Sequence, residues 1–232
     1  MTISGLQKMT LLDYPGRVAC TVFLQGCNFR CPFCHNSGLL GAAQDETIPE
    51  EELLDFLSKR VGILDGVCIT GGEPTLQSDL PRLLRQIKAL GYHIKLDTNG
   101  SQPNMLKQLA DEGLIDYVAM DIKNSPARYA ETIGSSQFPA QIEKSIDFLM
   151  NGEVAYELRT TVVEEFHDEE NILAMGQWLS GMGRPKKLFL QPYVGRDSVL
   201  AQGLHSPSAE KLRAFKAILE PYADFVEIRG AD

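Results

Sequence analysis

Cys27-Asn28-Phe29-Arg30-Cys31-Pro32-Phe33-Cys34-His35 directly follows the apolar run Val18–Leu24. An apolar run ending in such a loop reads as a buried strand, and what comes after it decides the fold. A doubly wound dinucleotide fold would place a G-x-G-x-x-G turn there; this chain places cysteines. Three of its five cysteines stand within eight residues, at the spacing C-x3-C-x2-C. Three thiolates on one tight loop can hold three corners of an iron–sulfur cubane. Such clusters are normally held by four protein ligands, so an iron without one is open to a small molecule. With His35, the same thiols could instead form a structural zinc site, although adjacent Cys34 and His35 make awkward joint ligands.

Outward from this loop the chain alternates strands and helices without a long linker. Val18–Leu24 is the first strand. A helix opens at Pro49-Glu50-Glu51-Glu52, where proline in the first turn and acids at the positive end of the dipole are favourable. Leu53, Leu54, Leu57 and Val61 give it an apolar stripe. Gly66–Thr70 is a strand. Asp79 caps the next helix, which carries Leu80, Leu83, Leu84, Ile87 and Leu90 and stops at Gly91. Further strands are expected at His93–Thr98, Tyr117–Ile122, Ala155–Val163, Leu188–Gln191 and Phe225–Ile228, and further helices over 103–112, 140–150, 169–182 and 208–220. About six strand–helix repeats predict a parallel sheet with helices outside. The count fits an α/β fold of the open, partial (β/α)6 barrel kind, as a single domain over residues 1–232.

Composition sets limits on function. The chain has 232 residues, a formal charge of −9 and a pI near 5.0, which argues against a nucleic-acid backbone as partner. Met1–Lys8 lacks the apolar core of a signal peptide, and no run approaches the length needed to span a bilayer. A cytoplasmic protein with no membrane partner is expected. Cys20 and Cys68 lie within apolar runs and read as core thiols, not as half of a disulfide framework.

In α/β barrels the chemistry collects at the C-terminal ends of the strands. Here those ends carry the cysteine loop, Thr70-Gly71-Gly72-Glu73-Pro74, Asp97-Thr98-Asn99-Gly100, Asp121-Ile122-Lys123, Arg159-Thr160-Thr161 and Gln191-Pro192-Tyr193. The cysteine loop and Gly-Gly-Glu-Pro together resemble the radical S-adenosylmethionine (SAM) superfamily. Leu11-Leu12-Asp13-Tyr14-Pro15-Gly16-Arg17, Gln25-Gly26-Cys27, Cys34-His35-Asn36, Asp-Thr-Asn-Gly and Asp-Ile-Lys resemble the activating enzymes of glycyl radical enzymes. Within these, the chain looks most like the short activators of anaerobic ribonucleoside-triphosphate reductase.

That resemblance implies one [4Fe–4S] cluster on Cys27, Cys31 and Cys34, with SAM on the fourth iron. It implies that Gly71, Gly72, Glu73 and Pro74 meet the methionine end of SAM, Glu73 accepting from its ammonium. Phe33 would lie against the adenine, with backbone at Cys34 and His35 reading its edge. Asp97, Thr98 and Asp121 match positions that bind SAM or a monovalent cation (Na+ or K+), Asn99 would join the SAM contacts, and Lys123 and Arg159 would face the SAM carboxylate. Gln191 or Tyr193 would add a contact from the last site strand. The implied reaction is reductive cleavage of SAM to a 5′-deoxyadenosyl radical, which takes hydrogen from a glycine of a partner enzyme. A flavodoxin or ferredoxin would be the reductant. The same chemistry aimed at a pyruvate formate-lyase-type partner, or at a small molecule or peptide, is the alternative. Two departures stand out: Tyr14 where other activators often have Gly, and Val194 where some have His.

Overall fold

The computed structural model describes residues 1–41, 47–136, 140–196 and 198–230. The chain gathers into two compact units, Met1–Asn28 with Gly38–Ala119 and Phe29–Ser37 with Met120–Asp232. It passes from the first to the second within the cysteine loop, between Asn28 and Phe29.

In the first unit β2 (Ala19–Leu24), β3 (Gly66–Gly71) and β4 (His93–Thr98) run parallel, and β1 (Ile3–Thr10) lies antiparallel to β2. The register sets Thr21 beside Cys68 and Cys68 beside Lys95. The sequence reading has no β1: only Ile3 and Thr10 of that strand are buried, so it shows too little apolar alternation to be seen. The helix α1 (Glu50–Ser58) opens after Pro49 and buries Leu53 and Leu57. Val61, expected on its stripe, lies past its end and is 54% exposed. In α2 (Leu80–Ala89), Leu80, Leu83, Leu84 and Ile87 are fully buried. Asp79 stands at its N-cap position but makes no side-chain cap; its carboxylate lies 3.7 Å from the Met1 ammonium. The last helix of this unit is α3 (Pro103–Asp111), packed through Leu106 and Leu109. Cys20 and Cys68 are buried core thiols, as expected, and burial pushes Cys20 up to about 12.

Strand β5 (Tyr117–Asp121) carries the chain into the second unit. There β6 (Ala155–Val162), β7 (Leu188–Pro192) and β8 (Val226–Ile228) pair in parallel. The helices are α4 (Pro126–Thr132), α5 (Gln141–Asn151), α6 (Glu169–Met182) and α7 (Ala209–Leu219). The short α4 is absent from the sequence reading, its seven residues being too few for a helical period to show. Asp168 caps α6 by accepting from Asn171 N at 2.8 Å, and Ser208 caps α7 by accepting from Lys211 N at 3.1 Å.

The C-terminal stretch fixes a buried charge. Glu157 on β6 is 0% exposed and takes Arg229 in a forked pair at 2.9 and 3.1 Å. The Arg229 guanidinium also lies 3.7 Å over the Phe189 ring. Removing one partner of such a pair strands a charge in the interior. None of the described helices is long and apolar enough to cross a membrane.

Candidate active site

In the first unit the candidate residues centre on a carboxylate held by neutral donors. Gly71 has φ +118, and a Cβ on it would stand 2.4 Å from the Leu24 backbone; a Cβ on Gly72 would stand 2.1 Å from Gly26 O. The two glycines are therefore needed by the protein itself, which presses this turn against the end of β2. Gly72 N donates to Leu24 O at 2.8 Å and Glu73 N to Gly26 O at 2.7 Å. Pro74 then starts a single 3-10 turn, Pro74–Leu76.

Glu73 is 1% exposed. Its Oε1 accepts from Thr75 N at 3.0 Å, from the Thr75 hydroxyl and from Thr98 Oγ1 at 2.8 Å. Its Oε2 accepts from Asn99 N at 2.6 Å. A carboxylate has about four acceptor positions, so Oε2 keeps room for a further donor. Burial raises the Glu73 pKa, against the pull of these hydrogen bonds. The Asn99 side chain reaches the cysteine loop: Nδ2 donates to Asn28 Oδ1 at 3.0 Å and lies 3.8 Å from Cys27 Sγ. On the same strand end, Asp97 pairs with the buried Lys95.

In the second unit the candidate residues form ion pairs. Asp121 at the end of β5 takes Lys123 Nζ on Oδ2 at 3.0 Å and Arg159 Nε and Nη2 on Oδ1, each at 3.0 Å. Burial would raise its pKa, but Arg159 and Lys123 overcome that and hold it at about 2. Lys123 is in turn held above the usual lysine range, Asp121 and the Cys31 sulfur outweighing burial. The fully buried His167, which no motif marks, bonds the Lys123 carbonyl through Nε2 at 3.0 Å. Arg159 is thus on Asp121, and the buried Glu157 takes Arg229.

Cys31 is buried and Cys34 half-buried in this unit, and none of the five cysteines is in a disulfide. Phe33 is 4% exposed and meets Phe166, ring centres 5.7 Å apart. His35 stacks on Tyr193 at 5.5 Å. Its Nε2 is buried without a hydrogen-bond partner among the described residues, and burial, then Arg196, lowers its pKa. Gln191 is half-buried on β7, beside Thr161.

The loop after β7 straps this half of the cysteine loop. Ala201 N donates to Pro32 O at 2.9 Å, Ser198 Oγ to His35 O at 3.2 Å, and the Ser37 hydroxyl to Ser198 O. Arg30 N donates to Ile133 O at 2.9 Å, and Gly134 (φ +65) leaves space for Arg30 O, 2.6 Å from where its Cβ would be. Sequence reading missed these supports; only Gly134, a glycine just past a helix, leaves a trace in it.

The donor set fits a cubane: three thiols of one loop, an amide N–H toward the first sulfur and a positive charge near the second. Among the described residues no three His, Cys, Asp or Glu side chains converge where one metal ion could sit; a cubane asks for one thiolate on each of three separate irons. The monovalent cation fits less well. Lys95 is on Asp97, Lys123 and Arg159 are on Asp121, and the Thr98 hydroxyl is engaged with Glu73 and Gly100 N.

Residues 21–173 match the Radical SAM superfamily. A Methanocaldococcus jannaschii protein named as a glycyl-radical enzyme activating enzyme is 32% identical over 234 residues, covering 98% of this chain and 95% of its own. The chain belongs to the radical SAM superfamily, among its glycyl-radical enzyme activating enzymes. Membership in this family brings a [4Fe–4S] cluster and SAM. The pyruvate formate-lyase 1-activating enzyme of Escherichia coli K12 is 28% identical, with 95% of each chain covered. Among solved structures, a radical SAM methyltransferase from Sphaerobacter thermophilus superposes with a TM-score of 0.71 at 15% identity, over 95% of this chain and 68% of its own. That likeness shows the α/β partial-barrel fold expected from the sequence.

Proposed function

We propose that this radical SAM activator installs a glycyl radical on an anaerobic ribonucleoside-triphosphate reductase. The reading rests on similarity to a glycyl-radical enzyme activator over 98% of one chain and 95% of the other, together with the motif resemblance to the short reductase activators. When bound, the cluster and SAM supply the electron and the 5′-deoxyadenosyl radical that removes the glycine hydrogen. The chain's own residues hold and orient. Cys27, Cys31 and Cys34 take three irons, and Glu73 accepts the methionine ammonium on the acceptor position left at Oε2. Lys123 and Arg159, both on Asp121, would face the SAM carboxylate. Asn99 and the backbone of Gly71-Gly72 hold the cysteine loop and the Glu73 turn in register. Phe33, the backbone at Cys34 and His35, and Gln191 or Tyr193 take the adenosine end. The monovalent cation has no place in this reading, because protein cations already sit on Asp97 and Asp121. A flavodoxin or ferredoxin reductant and a cytoplasmic setting come with it, as does treating residues 1–232 as one radical SAM domain.

A pyruvate formate-lyase-type partner is the second reading, favoured by the similarity to the Escherichia coli activator. The reduced, cluster-loaded protein mixed with SAM and each candidate partner separates the two by electron paramagnetic resonance. A glycyl doublet on the reductase and none on the lyase is expected; the reverse pattern rejects the reductase.

A further inference from the structure

Lys95 is the residue in the first unit that nothing in the motifs explains. It lies on β4 two residues before Asp97, so the two side chains share one face of the strand. Its row is neutral: Cys68 beside it, Thr21 beyond, and the Thr21 hydroxyl already donates to Asp13 at 2.6 Å. The lysine side chain is 2% exposed, that of Asp97 16%. The ammonium lies 3.9 Å from Cys68 Sγ and forms its ion pair with Asp97. An ammonium taken out of water without an acid is strongly destabilising, so the pair is held together from both sides. Asp97 is thus neutralised from inside the protein, on the carboxylate where related activators suggest a monovalent metal ion. The second such carboxylate, Asp121, is likewise covered, by Lys123 and Arg159.

We propose that Lys95 is a positioning residue that serves as the built-in counter-ion of Asp97, and that SAM binding to this protein needs no monovalent metal ion. This rests on the reading of Asp97 and Asp121 as SAM-site residues. A bound cation is often the largest local charge in a site. Replacing it by a tethered ammonium keeps that charge fixed whatever salt surrounds the protein.

The test is equilibrium binding of labelled SAM to the cluster-reconstituted protein, without turnover, in sodium, potassium, caesium and tetramethylammonium chloride at equal ionic strength. Wild type should show affinities within about twofold across the series. Lys95→Met should lose about tenfold in tetramethylammonium and recover in sodium or potassium, a metal ion now replacing the ammonium beside Asp97. Lys95→Arg, which keeps the charge, should stay flat. A wild-type affinity about tenfold weaker in tetramethylammonium than in potassium would overturn the inference without help from any variant. So would a folded Lys95→Met protein whose weakened affinity stays the same in every salt, the result a merely structural lysine gives. Binding of no SAM in any salt would overturn the SAM-site reading as well, and is distinguished by that uniform failure.

Discussion

Glu73 and Asp121 are two carboxylates at strand ends, one in each unit, stabilised in opposite ways. Glu73 is surrounded by backbone N–H groups and hydroxyls and has no cation on it in the bonds described above, and its pKa is raised by burial. Asp121 has two cations and is held at about 2. Hydrogen bonds from neutral groups leave a carboxylate that still gains from a positive ligand; a carboxylate already held by lysine and arginine does not. SAM's methionine end carries both charges, an ammonium and a carboxylate. In the proposed function the ammonium goes to Glu73 and the carboxylate to Lys123 and Arg159.

The largest expected effect lies where the two units should not differ. Cys27 has an amide N–H beside its sulfur, whereas Cys31 is buried and feels Lys123. If all three thiolates hold irons, these surroundings are secondary. Cys27→Ala, Cys31→Ala and Cys34→Ala should each abolish SAM cleavage, measured as methionine released under a strong chemical reductant. Normal cleavage by Cys31→Ala would remove it from the ligand set.

How much of this was legible in the sequence follows the same division. The first unit's half is contiguous: Thr70–Pro74 and Asp97–Gly100 are strand ends whose motif residues touch each other, and Glu73 bonds Thr98 and Asn99 directly. The second half joins residues far apart in the chain. The pattern places both Asp121 and Glu157 near Arg159, and it does not show that Arg159 lies on Asp121 or that Arg229, 72 residues after Glu157, reaches that acid. The strap from Ala201 and Ser198 rests on backbone groups, which carry no side-chain signature at all. Gly72 reads in sequence as a ligand-facing glycine, yet the atom its Cβ would strike is Gly26 O. Gly72→Ala should therefore destabilise the protein itself, by about 3 kcal/mol or roughly 6–12 °C in Tm. An unchanged melting temperature would show that the close approach is not needed.

The opposite pKa shifts predict opposite pH slopes. For Asp121 the folded pKa lies below the usual 3.8. Its contribution is fully present above that value and is lost as pH falls toward about 2, an effect on the order of 2 kcal/mol. Glu73 has its folded pKa above the usual 4.5, so its burial costs stability at neutral pH. That cost shrinks as pH falls through the raised value. In urea unfolding from pH 7 to pH 3, Asp121→Asn should be most destabilising at the high end and less so at pH 3. Glu73→Gln should show the reverse trend, its stability relative to wild type falling as the acid limb is approached. Parallel curves for the two variants would break the contrast between the halves.

The smallest effect concerns Asn99, a first-unit side chain that reaches toward Cys27. Asn99 Nδ2 lies 3.8 Å from Cys27 Sγ and 3.0 Å from Asn28 Oδ1. An N–H directed at a ligating sulfur withdraws electron density from it and favours the reduced cluster, and hydrogen bonds to the sulfurs are among the factors that set cluster potentials. Asn99→Ala removes that donor but leaves Asn99 N on Glu73, because the backbone bond does not depend on the side chain. If the lost bond is worth about 1 kcal/mol, the potential should fall by on the order of 40 mV for a one-electron couple. A redox titration followed by the reduced cluster's resonance signal reads this directly, with iron content as the control. SAM affinity should change little, since the Glu73 contacts survive. A potential that does not move would mean the amide serves only to hold Asn28, and that Lys123, in the second unit, is the stronger electrostatic influence on the cysteine loop.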